Sequence, residues 1–313
     1  MPQPIALMFP GQGAQTVGMG VALAERFAVV ERWFASAEEA AEFPLRRLLR
    51  EGPEDQLRLT EFLQPALLAV EIGAWFAWRE LVERPPAAAL GHSLGEYAAL
   101  VAADALAPEA AVRLARRRGR YMQEAVPPGL GGMSAVTELP AERVAALCEE
   151  ASDAAAQVWL SNDNCPGQVV VSGHLAAIDR ATPLLKAAGA RRIVPLKVSA
   201  PFHCPLMQPA AARLAAELAT IDFGAPRFPV IANWNAAPYA AAAGVADGLL
   251  RQVTQPVRFR ESLLSLPAFH GVAGVELGPG TVLSGLGRRT LPEWRFYQAD
   301  EPAKLAAVVQ ESA

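Results

Sequence analysis

The sequence predicts an α/β protein, an open and mainly parallel sheet into which a smaller α+β unit is inserted. Three observations carry this. Apolar runs at 5–9, 87–90 and 272–277 each end in a glycine-bearing turn and give way to helical periodicity, the rhythm of strands joined by crossover helices. Between 132 and 198 the rhythm changes to β-α-β-β-α-β, the split ferredoxin-like arrangement. Finally, Gly91-His92-Ser93-Leu94-Gly95 sets a serine between two glycines where a strand gives way to a helix. That is the nucleophile-elbow pattern, which lifts a hydroxyl off the end of a sheet strand. Read locally, the same five residues are also a glycine-rich helix start with Ser93 near the N-cap.

Taken in order, Ile5–Phe9 has no polar residue and reads as a buried strand, and Pro10-Gly11-Gln12-Gly13-Ala14-Gln15 turns out of it. Gly11, Gly13 and Gly18 lack the dinucleotide spacing and no Gly-Lys-Ser/Thr follows, so a phosphate loop is not expected. Gln12 is instead placed to face the elbow as a donor, if both strands share one parallel sheet. Gly18–Phe34 alternates at helical spacing, and 35–64 reads as short helices and loops with a turn at Glu51–Asp55. Gln64-Pro65 opens a long apolar helix to about Val82 that is interrupted by Glu71 and short for a bilayer span. Ala87–Leu90 is the strand feeding the elbow, followed by helices at Leu94–Ala103 and Pro108–Val126, the second opened by a favourable proline.

That second helix carries Arg113, Arg116, Arg117, Arg118 and Arg120. Most are expected to form a solvated face, with Arg116 and Arg117 as exposed cations. One arginine is free to turn inward toward a carboxylate or a phosphate, for which its planar fork is suited. Periodicity alone does not select it.

The inserted unit reads as strands at Gly132–Val136, Gln157–Asn162, Gln168–Ser172 and Arg192–Val198, with helices at Pro140–Ala151 and Leu175–Ala188. The expected division is a small domain at 128–197 within a large domain formed by 1–127 and 198–313. The chain returns through Ser199-Ala200-Pro201-Phe202-His203-Cys204-Pro205-Leu206-Met207. His203 lies between rigidifying prolines just after a strand, where a second catalytic group can meet Ser93 at the seam; a histidine bonded to backbone is the alternative. Phe228–Ala232 and Val272–Leu277 complete the large sheet, with helices at Asp247–Gln252, after Phe259, and from about Val282.

Composition narrows the function classes. The chain has 313 residues, 52% of them hydrophobic, and a formal charge of -4, which argues for a globular protein without a nucleic-acid surface. Cys148, Cys165 and Cys204 are widely spaced and odd in number, the usage expected of reduced thiols in a cytoplasmic protein. The start lacks the basic region and full apolar core of a secretory signal.

Several separated motifs together resemble one family. These are Phe9-Pro10-Gly11-Gln12-Gly13-Ala14-Gln15, Gly91-His92-Ser93-Leu94-Gly95-Glu96-Tyr97, Arg118-Gly119 with Met122-Gln123-Glu124-Ala125-Val126-Pro127, and Phe202-His203-Cys204-Pro205-Leu206-Met207. Asn162-Asp163-Asn164-Cys165-Pro166-Gly167-Gln168-Val169-Val170 and Glu276-Leu277-Gly278-Pro279-Gly280 extend the likeness over nearly the whole chain. In this combination the sequence resembles the bacterial malonyl-CoA:acyl-carrier-protein transacylases.

The resemblance implies an α/β-hydrolase-like large domain with a ferredoxin-like insertion. It implies Ser93 as nucleophile, His203 as its base, and Gln12 with the amide of Leu94 as oxyanion hole. Arg118 would clamp the malonyl carboxylate, Gln252 would help to position the site, and Asn162 would support the acyl pocket. No carboxylate partner for His203 stands out, and a backbone carbonyl can hold the imidazole instead. Malonyl-CoA is the implied substrate and acyl carrier protein the partner, its phosphopantetheine supplying the accepting thiol. No permanently bound cofactor, metal, nucleic acid or membrane is implied, and a cytoplasmic monomer is expected.

One departure is Phe202, where many fatty-acid members carry a small residue; malonyl-selecting polyketide synthase domains are closer to Ala200-Pro201-Phe202-His203. Phe202 either narrows the pocket against an α-methyl branch or packs in the core. A free-standing polyketide loading enzyme, a malonate decarboxylase subunit, a carrier-binding scaffold and a thioester hydrolase are the competing readings.

Overall fold

The computed structural model describes residues 4–312. Its larger sheet is built from β1 (Ile5–Phe9) and β2 (Ala88–Gly91), both buried along their whole length. A continuous apolar run of this kind forms a strand covered on both faces.

The chain leaves this sheet and folds β3 (Gly131–Thr137), β4 (Val158–Cys165), β5 (Gln168–His174) and β6 (Arg192–Pro195) into a second one. It then returns with β7 (Val230–Ile231), β8 (Ala273–Glu276) and β9 (Arg295–Gln298). The first sheet has the order β7-β2-β1-β8-β9, with parallel pairings throughout. Residue alternation splits its packing cleanly. Ile5, Leu7 and Phe9 face one core with the helices Thr60–Leu81 and Gly95–Ala102. Ala6 and Met8 face another with the helices Phe259–Ser265 and Val282–Thr290.

The second sheet is antiparallel in the order β4-β5-β3-β6, the ferredoxin-like order, and buries its own apolar cluster against Ala141–Glu150 and Leu175–Ala187. The expected mixed α/β architecture is therefore present.

Several elements differ from their expected bounds, β4 running on to Cys165, β7 shrinking to Val230–Ile231 and β9 being unexpected, and three more are instructive. The long helix starts at Thr60, not Gln64, so Pro65 sits in its second turn, where it removes a single backbone donor. The segment after Gly18 is two helices, Val21–Arg26 and Ala28–Ala41, separated at Phe27 with extended φ -120 and ψ 111. β6, an exposed edge strand, ends at Pro195, and the Leu196 N–H adds one more bond to the Met133 carbonyl at 2.9 Å before the chain departs.

β4 carries two register irregularities and reaches across to the segment that precedes the Phe259–Ser265 helix. There Asp163 N–H donates to the Val257 carbonyl at 2.9 Å, Val257 N–H donates to the Ser161 carbonyl at 2.9 Å, and Arg260 Nε donates to Asp163 Oδ2 at 2.8 Å. This seam brings Asn162 and Asn164 to the carboxyl edge of β2. The three cysteines are free and buried. No described helix is long and apolar enough to cross a membrane.

Candidate active site

The turn between β2 and Gly95–Ala102 holds Ser93 at φ 53, in the left-handed region. Packing dictates the two flanking glycines: a Cβ on Gly91 would lie 1.9 Å from the Gly95 carbonyl carbon, and one on Gly95 would lie 2.1 Å from the Phe9 carbonyl oxygen. No side chain fits either gap. The Ser93 N–H donates to Asn233 Oδ1 at 2.7 Å, and its carbonyl accepts from Gln252 Nε2 at 2.8 Å.

The Ser93 hydroxyl is 2.8 Å from His203 Nε2 and accepts from Arg118 Nη2 at 3.0 Å. Because Arg118 can only donate, the hydroxyl proton is directed at His203. On the far side of the ring, Nδ1 donates to the Gln252 carbonyl at 2.8 Å, which fixes the tautomer. A peptide oxygen thus occupies the place a carboxylate takes in other serine sites. His203 is itself at φ 57. Burial foremost, and then the Arg118 charge and His92, push its pKa down to about 3 against the support of the Gln252 carbonyl. The imidazole is neutral at physiological pH and able to accept a proton.

Arg118 is the arginine that turns inward and is 1% exposed. Nη1 donates to Gln64 Oε1 at 2.8 Å and Nη2 to Gln252 Oε1 at 2.9 Å, while the Tyr97 ring lies 5.6 Å from the guanidinium carbon. Burial lowers its pKa, opposed by Tyr97 and Glu96.

The other arginines correct the expectation from sequence. Arg116 is half-buried against the edge-to-face pair Phe43 and Phe62, its guanidinium carbon 4.9 and 4.6 Å from their ring centroids. Arg117 is half-buried and paired with Glu217 at 3.2 Å. The exposed cations of this helix are Arg113 and Arg120.

A cavity of about 280 Å³ opens beside the serine. Gln12, Ser93, Leu94, Arg118, Asn162, Phe202 and His203 all line it, and Gln252 stands behind Arg118. Asn162 is 4% exposed and accepts from Ser161 Oγ at 3.1 Å, and Phe202 is 6% exposed. The neighbouring His92 contacts Asn164 Oδ1 through Nε2 at 2.9 Å and leans on Phe259.

Sequence reasoning missed Gln64, Asn233, Tyr239 and the part played by Glu96. Asn233 ends a strand at the carboxyl edge, and Glu96 is an acid in the first turn of a buried helix. Those were the available signals. Among the described residues, no group of histidine, cysteine or acidic side chains could hold a metal.

The acyl transferase domain family matches residues 7–311. The chain belongs to that family. This acyl transferase is 44% identical over 307 residues to a malonyl CoA-acyl carrier protein transacylase of Salmonella typhimurium, covering 98% of this chain and 99% of the relative. Among solved structures, it superposes with TM-score 0.95 on an acyl carrier protein S-malonyltransferase of Vibrio cholerae, at 42% identity over 97% of this chain and 99% of the other. It matches equally, at TM-score 0.95 and 40% identity over 98% and 99% of the two chains, a malonyl-transacylase in complex with a type II polyketide synthase acyl carrier protein.

Proposed function

We propose that this acyl transferase moves the malonyl group of malonyl-CoA to the phosphopantetheine thiol of an acyl carrier protein through an ester on Ser93. The observation that carries the reading is the position of Ser93 Oγ, bonded at once to the neutral His203 Nε2 and to the buried Arg118 guanidinium. The names of the similar proteins agree with it.

In the first half-reaction, Ser93 Oγ attacks the thioester carbonyl as its proton passes to His203 Nε2. The oxyanion is held by Gln12 and the Leu94 N–H; one such donor is worth about 2.7–4 kcal/mol of barrier. The carbon–sulfur bond then breaks, and His203 returns the proton to the CoA thiolate. In the second half-reaction, the carrier thiol gives its proton to His203, its sulfur attacks the ester carbonyl, and Ser93 leaves with the proton restored. No bound cofactor is required, since the phosphopantetheine arrives on the partner.

Arg118 selects the substrate. Its Nη2 spends one N–H on Gln252 and the other on Ser93, and its Nη1 spends one on Gln64. The second Nη1 hydrogen and the one released from Ser93 make a fork that fits a carboxylate. An acetyl group would leave that buried charge unmatched.

Phe202 serves as a cavity wall against α-branched acyl groups, and Asn162 backs the pocket without reacting. The 128–197 segment acts as an inserted domain that closes the cavity with Met133, Ala135 and Asn162. Buried free thiols fit a cytoplasmic enzyme. Carriers of either fatty-acid or polyketide synthesis satisfy this chemistry.

Incubation with malonyl-CoA and excess phosphopantetheinylated carrier tests the proposal. Malonyl-carrier is the expected main product. Free malonate as the main product would make the protein a hydrolase, and carrier binding without turnover would make it a scaffold.

A further inference from the structure

Glu96 is fully buried, one turn beyond the serine, and the reaction steps above make no use of it. Its two oxygens are divided between different tasks. Oε1 accepts from the Tyr239 hydroxyl. Oε2 accepts from Gln252 Nε2 at 2.7 Å and from the Asn233 N–H at 3.0 Å.

Both of those partners hold the serine. Gln252 spends its other Nε2 hydrogen on the Ser93 carbonyl at 2.8 Å. Asn233 accepts the Ser93 N–H at 2.7 Å and donates from Nδ2 to the Gly91 carbonyl at 2.7 Å. A left-handed serine between two closely packed glycines is a strained setting, and it persists only where the surroundings over-determine it.

The Glu96 acceptor also fixes which way the Gln252 amide faces. With both Nε2 hydrogens drawn to Glu96 and Ser93, Oε1 must point at Arg118, where it receives Nη2 at 2.9 Å. In the flipped amide, an NH₂ group would meet the guanidinium and an oxygen would meet two acceptors.

We propose that Glu96 is a positioning residue for acyl transfer, holding both peptide groups of Ser93 through Gln252 and Asn233 and setting the face that Gln252 turns to Arg118. This rests on Ser93 being the acylated residue. Glu96 reaches two parts of the site. Its loss therefore slows every acyl donor through Ser93 and slows a carboxylated donor further through Arg118. The requirement is for an acceptor oxygen at the Oε2 position. Glutamine meets it, with its amide nitrogen turned to the Tyr239 oxygen.

The test is the burst of acyl-enzyme formed by wild type, E96A and E96Q with malonyl-CoA and with acetyl-CoA. E96A should lose about 100-fold in burst rate with malonyl-CoA, the scale of a small misplacement of reacting groups, and should lose less with acetyl-CoA. E96Q should stay within about tenfold of wild type by the same measure. If E96A does not fold, E96D replaces it, since its carboxylate is one methylene short of Gln252. A folded E96A with the wild-type burst rate would overturn the proposal, as would E96Q as slow as E96A, E96D as fast as E96Q, or equal losses with both donors. A wild-type burst that labels a residue other than Ser93 would instead remove the reading on which the proposal rests.

Discussion

In the free enzyme the Arg118 guanidinium lies on the nucleophile itself, donating from Nη2 to Ser93 Oγ at 3.0 Å. On the proposed reading, a carboxylate arriving at Arg118 would draw that donor away and leave the hydroxyl to His203, so that substrate binding and nucleophile release would be a single event. In the R118A variant malonyl transfer is consequently expected to lose about 3 kcal/mol more than acetyl transfer, because the malonyl carboxylate is left without its partner. R118K should recover only part of the difference, since an ammonium lacks the planar fork. The ratio of kcat/KM values for malonyl-CoA and acetyl-CoA measures this. An unchanged ratio in R118A would take Arg118 out of the clamp.

As the proposed base, His203 should set the acid limit of the reaction. Its folded value of about 3 lies below the usual 6.5, through burial first and the Arg118 charge second. The acylation burst should therefore show no break near 6.5 and should fail only in stronger acid. The stability that His203 contributes is present above its unfolded value and is lost as pH falls toward its folded one. In R118A the acid limb should move up while staying below 6.5, because burial remains. A burst in wild type that halves near pH 6.5 would contradict this.

Glu71 is a burden on the fold. It is fully buried in the Thr60–Leu81 helix, both carboxyl oxygens lack hydrogen-bond partners, and burial with nearby Glu276 pushes its pKa well above 4.5. A raised folded value means that the stability tied to its proton is complete below the unfolded value and declines as pH rises toward the folded one. E71M should therefore be more stable than wild type in urea unfolding, by about 1–3 kcal/mol near pH 8, with a smaller gain near pH 5. A loss of stability at both pH values would mean that the carboxyl is satisfied.

Lys197 is an exposed cation whose neighbours Leu196 and Val198 line the cavity, which makes it a candidate for meeting the carrier. Steering of an acidic carrier by such a charge depends on salt. K197E should raise the carrier KM, most at low ionic strength, and leave acylation by malonyl-CoA unaltered. R117E should instead lower stability by breaking the pair with Glu217. Equal changes in both half-reactions of K197E would remove it from the carrier surface.

What the sequence revealed follows from how far each signal reaches. β1 and β2 were readable because uninterrupted apolar runs have few other uses, and Ser93 because two glycines mark the elbow around it. His203 stood out by its place between prolines after a strand, with a backbone-bonded histidine as the alternative, whereas Arg118 was singled out only once the neighbouring motifs were compared with a known family. The start of the long helix was misplaced because Pro65 resembles a first-turn residue. Gln64 left no local mark and Asn233 only its place at the end of a strand: their partners, Arg118 and Ser93, are 54 and 140 residues away in the chain. The stacking of Arg116 on Phe43 and Phe62 is likewise a product of helix packing that charge spacing does not encode.

The central claim is a malonyl ester on Ser93, and mass spectrometry of the enzyme after a short incubation with malonyl-CoA tests it most directly. The expected result is one malonyl adduct on the peptide containing Ser93, absent from S93A and discharged when phosphopantetheinylated carrier is added. An adduct on another residue, or normal transfer by S93A, would contradict the account.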